Sequence, residues 1–469
     1  MAMSGLIFLP AAQAKITAYA PLHQSPMLEH HINNLMIQAQ IPVVKRPIVV
    51  NQIKKAYEKV CENQSTNACL PVKKYLSRFD SALSVSSATL EVRSDDSPSL
   101  MQANRRGLKA NDRLYAQAQG YYAATDWLGV SLGLQANEDD ITPENSYISL
   151  GTDWAQLDIG YKPHWFSPFS HSAMLISTNA ETMPSISLSN SKPFDFLGFS
   201  YELFVAEMSH SDRIRYQNRF TTGKPLLTGM HFEISPFDGF SLSANRIMQS
   251  GGGERGGRSL SDLLDAFIDP SGADNTREGL NSDQEFGNQA ASLVSRFNFS
   301  GEKPFSVYFE YAGEDTSRGT NWRLGNSSLS AGLDIPQLTE SISLKYEFSN
   351  WQNAWYVHHV YNDGMVNESN IIGHWAAEQR LRNSNADDAV GASHHMIQLE
   401  WLQNQNNFWQ FKLTTTKNEE YAKTTYERAH GLLINWHSTI NNTPFNISAS
   451  SGKNVMGESN TAISVGVNW

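Results

Sequence analysis

Asn460-Thr461-Ala462-Ile463-Ser464-Val465-Gly466-Val467-Asn468-Trp469 closes the sequence. Thr461, Ile463, Val465, Val467 and Trp469 fall on one side of an alternation; Ala462, Ser464, Gly466 and Asn468 fall on the other. A period of two places successive side chains on opposite faces of a strand. One face here is apolar and the other is small or polar. A soluble sandwich strand can share that pattern. A terminal strand finishing on an aromatic residue points instead to a transmembrane barrel, where lipid-facing apolar residues alternate with lumen-facing ones and aromatic girdles mark the interfaces.

The same alternation recurs upstream. Leu128, Val130, Leu132 and Leu134 alternate with Gly129, Ser131 and Gly133, and Ala155, Leu157, Ile159 and Tyr161 with Gln156, Asp158 and Gly160. Phe305 to Tyr311, Ile342 to Phe348 and Trp409 to Leu413 repeat it. Roughly eighteen to twenty strands can be read by alternation from Leu83 onward. An open sheet of that size would have edges to hide, whereas a closed barrel has none. Mean hydropathy is -0.41, and no run of apolar residues reaches the length of a helical membrane span. The net charge of -11 argues against nucleic acid as a partner, because such binding rests on basic patches. Outer-membrane lipid and the barrel-assembly machinery are the partners expected of any such barrel.

Residues 1–14 read as the remnant of a secretory signal, with apolar Leu6 to Leu9 and the small-residue pattern Ala12-Gln13-Ala14 before Lys15. Residues 15–81 read as a helical region lying at the periplasmic mouth, and 82–469 as the barrel. Met27, Leu28, His31, Ile32, Leu35 and Met36 recur at helical spacing after Ser25-Pro26, a cap and first-turn pair. Ile53, Ala56, Tyr57, Val60 and Cys61 form a second stripe, and Val72, Tyr75, Leu76 and Phe79 a third. His30-His31 reads as one surface and one core position of the first helix. Cys61 and Cys69 are the two cysteines. In an exported chain a lone pair is expected as a disulfide, and closing so short a loop contributes about 2–3 kcal/mol in the chain-entropy model. No further His or Cys follows at ligand spacing, so no metal site is read there.

Connections supply a separate test. Ser235 to Asp238, Gly301 to Pro304, Ser349 to Gln352 and Asn404 to Asn407 read as tight turns, with long connections 250–289, 314–339 and 362–393 between them. Outer-membrane barrels have short periplasmic turns and long outer loops. The alternation holds when residues 327–334 are counted within an outer loop. Gly251 to Gly257 lacks the strand-to-helix context of a phosphate loop and reads as the start of an outer loop in which Ser259 to Ile268 form one short helix.

Several stretches together resemble the capsule-assembly outer-membrane family known as Wzi. They are Gly160-Tyr161-Lys162-Pro163-His164-Trp165-Phe166-Ser167-Pro168, then Leu175 to Ala180 and Met183-Pro184-Ser185-Ile186. Gly251 to Arg258, Tyr311-Ala312-Gly313-Glu314-Asp315, Tyr356 to Gly364 and Ile372-Gly373-His374 extend the match, as does the helical start with Ile41-Pro42 and Arg46-Pro47. In the family a tryptophan-rich turn precedes a strand that ends in a Ser-x-Asn-Ala segment. This sequence departs from the family at Phe166 and Phe169, and at Met365 to Glu368, where basic residues are usual. The resemblance implies a mainly β protein: a transmembrane antiparallel β-barrel of about 18 strands with a small N-terminal α-helical region. It also implies a lectin-like role, anchoring capsular or extracellular polysaccharide on the cell without catalysis.

The rival readings are an outer-membrane porin and, more remotely, an outer-membrane lipid hydrolase built on Ser393, His394-His395 and His358-His359. Adjacent histidines on a strand point to opposite faces, so one of each pair would enter a lumen. The loops offer Trp322, Arg323, Trp375, Arg380 and Arg382 as polysaccharide contacts, because aromatic rings stack on sugar faces and arginine pairs with uronate carboxylates. No cofactor is legible.

Overall fold

The computed structural model describes residues 16–22, 24–62, 66–94, 103–104, 106, 112–257, 261, 283, 285–314, 316–317, 320–379, 389–419, 424–440 and 443–468. The signal remnant, Trp469 and nearly all of Ser259 to Ile268 lie outside them. Nineteen strands share one antiparallel sheet, and the two-residue Ile141–Thr142 only extends a neighbour. The remaining eighteen, here β1 (Leu83–Arg93) to β18 (Ser459–Asn468), close a barrel. Closure is direct: Leu90 pairs with Val467 and Val92 with Val465. The closing strand behaves as its alternation demands. Ile463 and Val465 are 53 % and 50 % exposed to the surroundings of the barrel, while Ala462 and Ser464 are each 2 % exposed and face inward. Leu132, Leu293, Phe309, Leu329 and Leu413 continue the outer apolar face. Such a belt suits lipid, and closing the sheet satisfies every ladder hydrogen bond where no water can do so.

Strands alternate in direction, so β18 running inward puts the tight turns on one rim and the long connections on the other. Two expectations need correction here. Residues 327–334 are not loop: Ser327–Ile335 is strand β12, paired in full with Phe305–Glu314 (β11) and Ile342–Trp351 (β13). Ser349 to Gln352 is not a tight turn, because Ser349 to Trp351 end β13 and Gln352 opens an outer loop. The inner turn is 336–341. One strand unread and one turn misplaced cancel, which is why the parity survived. The alternation Leu329, Ala331, Leu333 was present, but Gly332 and the serines Ser327, Ser328 and Ser330 diluted it.

Leu175 to Ala180, expected to end a strand, forms no strand. All of 161–184 is irregular and lies inside the barrel. Met174, Leu175 and Ile176 are consecutive and all buried. A strand against lipid would expose alternate residues, so a run buried on every side fits only the lumen.

Helices α1 (Pro26–Gln38), α2 (Val50–Cys61) and α3 (Cys69–Leu76) form the N-terminal region. Ser25 caps α1 by accepting from the Leu28 N–H, with Pro26 in the first turn where no donor is needed. Ile32, Leu35, Met36, Ile53, Ala56, Val60, Val72 and Tyr75 share one core. Cys61 and Cys69 are joined, as the sequence expected. The bundle abuts the tight-turn rim. Gly239 donates to the Gln40 carbonyl at 2.9 Å, Lys59 pairs with Asp238, and Asn33 donates to Asp334 at 2.9 Å. His31 is core, as expected, but His30 is not a surface residue: its Nδ1 lies 2.8 Å from Glu400 of the barrel wall. On this side of α1, facing away from the bundle core means facing the polar barrel wall, as His30 and Asn33 do.

Candidate functional site

The outer rim is where the chain's unusual chemistry collects. Residues 161–184 descend from β5 (Ala155–Gly160) and are pinned by charge. Lys162 Nζ lies 2.8 Å from Asp158 Oδ2, and His164 Nδ1 lies 2.7 Å from Glu202 Oε1. The Ser170 and His171 N–H groups both donate to the Glu347 carboxylate, at 2.9 and 3.0 Å. Arg46, entering from the helical side, donates to the Ser167 and Phe169 carbonyls, each at 3.2 Å. Buried ionic groups need such partners, because an unpaired charge away from water is costly.

A second outer connection, 352–379, folds onto the first. Tyr356 donates its N–H to Glu314 Oε1 at 2.6 Å. Its hydroxyl bonds to the Met174 carbonyl and accepts from the His374 N–H at 2.8 Å. Ser177 Oγ donates to the Gly373 carbonyl at 2.7 Å, and Asn179 Nδ2 to the Ile371 carbonyl at 2.9 Å. Gly373 must be glycine: a Cβ there would lie 2.3 Å from the Tyr356 hydroxyl and 2.5 Å from the Met174 carbonyl. Phe166, Met174, Leu175, Trp351, Trp355, Tyr356 and Ile372 make the apolar core of this lid. Sequence stretches far apart, 160–186, 311–314 and 356–374, thus build one object. Below it, toward the helices, a cavity of about 400 Å³ is lined by Gln117, Gln135, Lys345, Glu400, Lys412 and Asn435 among others, the polar lining of a barrel lumen.

Above the lid stands a hairpin, Ser211–Tyr216 with Arg219–Gly223. Arg215 sits directly opposite Phe220, and Tyr216 opposite Arg219. Directly opposed residues share a face. Arg215 and Phe220 are both exposed, and Arg219 is partnered by Glu254 at 2.6 Å. Cation and aromatic side by side are what an acidic sugar needs, and sequence reading passed over them. The signal was the cluster Arg213, Arg215, Tyr216, Arg219 and Phe220 within one outer loop.

The candidates drawn from sequence do not converge. Trp375 is only 4 % exposed; its ring packs on His171 and His394 at 5.4 and 5.2 Å, inside the lid. Arg323 is exposed on the short hairpin of the 315–326 connection. The Trp322 side chain, Arg380 and Arg382 lie outside the described residues. The hydrolase grouping does not assemble either. His394 faces inward, bonded to Thr416 Oγ1 at 2.9 Å, while Ser393 and His395 point to the other face of the strand. His395 meets Tyr346 there at 2.8 Å. His358 and His359 depart from the strand rule: they are in loop, and their rings lie 4.4 Å apart on one side.

Comparison with known proteins bears on the whole arrangement. No curated protein sequence matches. The solved structure of Wzi from Escherichia coli, an outer-membrane protein involved in group 1 capsule assembly and a carbohydrate-binding β-barrel, is similar with a TM-score of 0.70. Identity is 14 %, over 97 % of this chain and 99 % of that one. OccK5 (OpdH) of Pseudomonas aeruginosa overlaps 82 % of this chain and 96 % of its own at 8 % identity and a TM-score of 0.48. For OccAB2 of Acinetobacter baumannii the figures are 82 %, 96 %, 11 % and 0.46. The family model described as capsule assembly protein Wzi matches residues 84–424, which takes in all three stretches that build the lid, and by that match this outer-membrane β-barrel belongs to the capsule assembly protein Wzi family.

Proposed function

We propose that this chain holds long capsular or extracellular polysaccharide at the cell surface through its outer loops and leaves the polymer uncut. The observation that carries the reading is the lid: the two connections that would leave a pore open are folded into it and locked by buried charge. A barrel closed in this way is suited to presenting a surface. Carbohydrate binding by the Escherichia coli relative is in keeping with it. The helical region 15–81 serves as the plug on the periplasmic side, lipid surrounds the apolar belt, and the barrel-assembly machinery inserts the chain.

The contact set on this reading is Arg215 and Phe220 of the outer hairpin with Arg323, joined by Trp322, Arg380 and Arg382 from neighbouring connections. Trp375 holds the lid rather than touching sugar. One ring stacked on a sugar contributes on the order of 1 kcal/mol, too little to hold a polymer. Many repeats meeting many barrels on one cell convert weak contacts into retention through effective concentration. Cutting the polymer would defeat this, so no catalytic role is assigned.

Purified protein should bind polymer far better than short oligosaccharides and leave polymer length unchanged. Cells lacking the protein should still export polysaccharide but shed it into the medium. Retention equal to the parent strain would refute anchoring, and shortened polymer would make the protein an enzyme.

A further inference from the structure

We propose that Glu285, His358 and His359 form a binding site for a transition-metal cation of the zinc class, tying two outer loops together at the barrel mouth. One carboxylate oxygen of Glu285 and one ring nitrogen of each histidine lie within 4.8 Å of one another. His359 Nε2 is 2.6 Å from Glu285 Oε2. Zinc bound at about 2.0–2.2 Å spaces its ligand atoms roughly 3.3 Å apart. From 2.6 Å the pair must therefore open by less than 1 Å, and the third atom, within 4.8 Å, close in by at most about 1.5 Å, movements within reach of side-chain ends.

The donors decide the class of ion. Two imidazoles and one carboxylate suit zinc, nickel or copper, whereas calcium and magnesium prefer oxygen alone. His358 Nδ1 accepts the Val360 N–H at 3.2 Å. The His359 side chain is 43 % exposed, so a fourth position faces solvent.

The ligands are held from behind, as useful metal sites require. Arg255 Nη2 donates to the Glu285 main-chain carbonyl at 2.7 Å, fixing the backbone that carries the carboxylate. On the other side, the Arg215 N–H donates to the Val360 carbonyl at 2.8 Å and the Asn362 N–H to the Arg213 carbonyl at 3.1 Å. Tyr361 donates its hydroxyl to the Gly251 carbonyl at 3.0 Å. The site therefore joins connections 251–286 and 352–391, braced by the hairpin between β7 (Ser200–Glu207) and β8 (Leu226–Phe237). The competing account is a His359–Glu285 ion pair with His358 a bystander. The two differ in whether His358 matters to cation binding.

The test uses the full chain in detergent, without a polyhistidine tag and stripped with a chelator, titrated calorimetrically with zinc ion alone and separately with calcium. One zinc per chain and no calcium binding are expected. Affinity should fall at least tenfold in His358→Ala, in His359→Ala and in Glu285→Gln, with each variant keeping the heat-dependent gel mobility of a closed barrel. Should His358→Ala fail to assemble, His358→Gln takes its place. Zinc should also slow protease cleavage of the outer loops in the parent and not in the variants. No saturable zinc binding, or binding that His358→Ala and His358→Gln leave unchanged, overturns the proposal.

Discussion

Two lid residues contribute to the stability of the outer face in ways that can be tested. Burial pushes the Glu181 carboxyl up to about 7 from an ordinary 4.5, with Glu368, Asp140 and Glu144 adding to it. A carboxyl raised in the folded state keeps its proton where the unfolded chain has lost it. Lid stability therefore falls as pH rises from about 4.5 to 7 and is lowest above that window. Glu181→Gln should give the lid more protection from hydrogen exchange than the parent at pH near 8 and the same protection near pH 4. An advantage that persists at low pH would contradict the assignment. Tyr356 is the second. Its hydroxyl serves both the Met174 carbonyl and the His374 N–H. Tyr356→Phe strands both groups in an apolar core, at about 1 kcal/mol or more apiece. Faster exchange across 352–379 with unchanged barrel mobility on a gel is the expected outcome.

Among elements, the helical bundle and the outer hairpin invite separate tests. The bundle has its own core, and the Cys61–Cys69 bond closes a short loop within it. Cys61→Ser should therefore cost the bundle about 2–3 kcal/mol and leave the barrel assembled. Thiol labelling of the unfolded, unreduced parent should find no free cysteine. In the hairpin, Arg215→Ala and Phe220→Ala should each weaken polymer binding several-fold, in line with about 1 kcal/mol per lost contact. Because the pair faces outward, neither change should affect assembly. Binding that resists both together would remove the hairpin from the contact surface.

For the whole molecule, the arrangement of two closures sharpens the contrast with a porin. With helices at one rim and the lid at the other, the intact protein should pass negligible current in planar bilayers. Deleting the helical region alone should leave conductance low, because the lid is held by Glu347, Glu314 and Glu202 of the wall and needs Arg46 only in part. Shortening 352–379 as well should open the barrel. A large, steady current from the intact chain would favour transport.

The barrel itself was written in the sequence. A strand facing lipid must be apolar at every second residue, and that rule is local enough to be read at Ile463 and Val465 or at Leu132 and Leu134. The helical start and the cysteine pair were legible for the same reason, since helical spacing and short loops are local. Even β12 carried its alternation, weakened by Gly332 and serine. What only the tertiary structure decided lies in the connections. Residues 161–184 and 352–379 have no period, because a segment buried on all sides obeys no two-sided rule. Trp375 looked like a surface aromatic and proved to be lid core, while Arg215 and Phe220 came to face each other through a hairpin. Glu285 met His358 and His359 only through folding. The Trp375 and Glu285 contacts join outer loops that follow different strands, and a closed barrel determines which loops become neighbours at its rim.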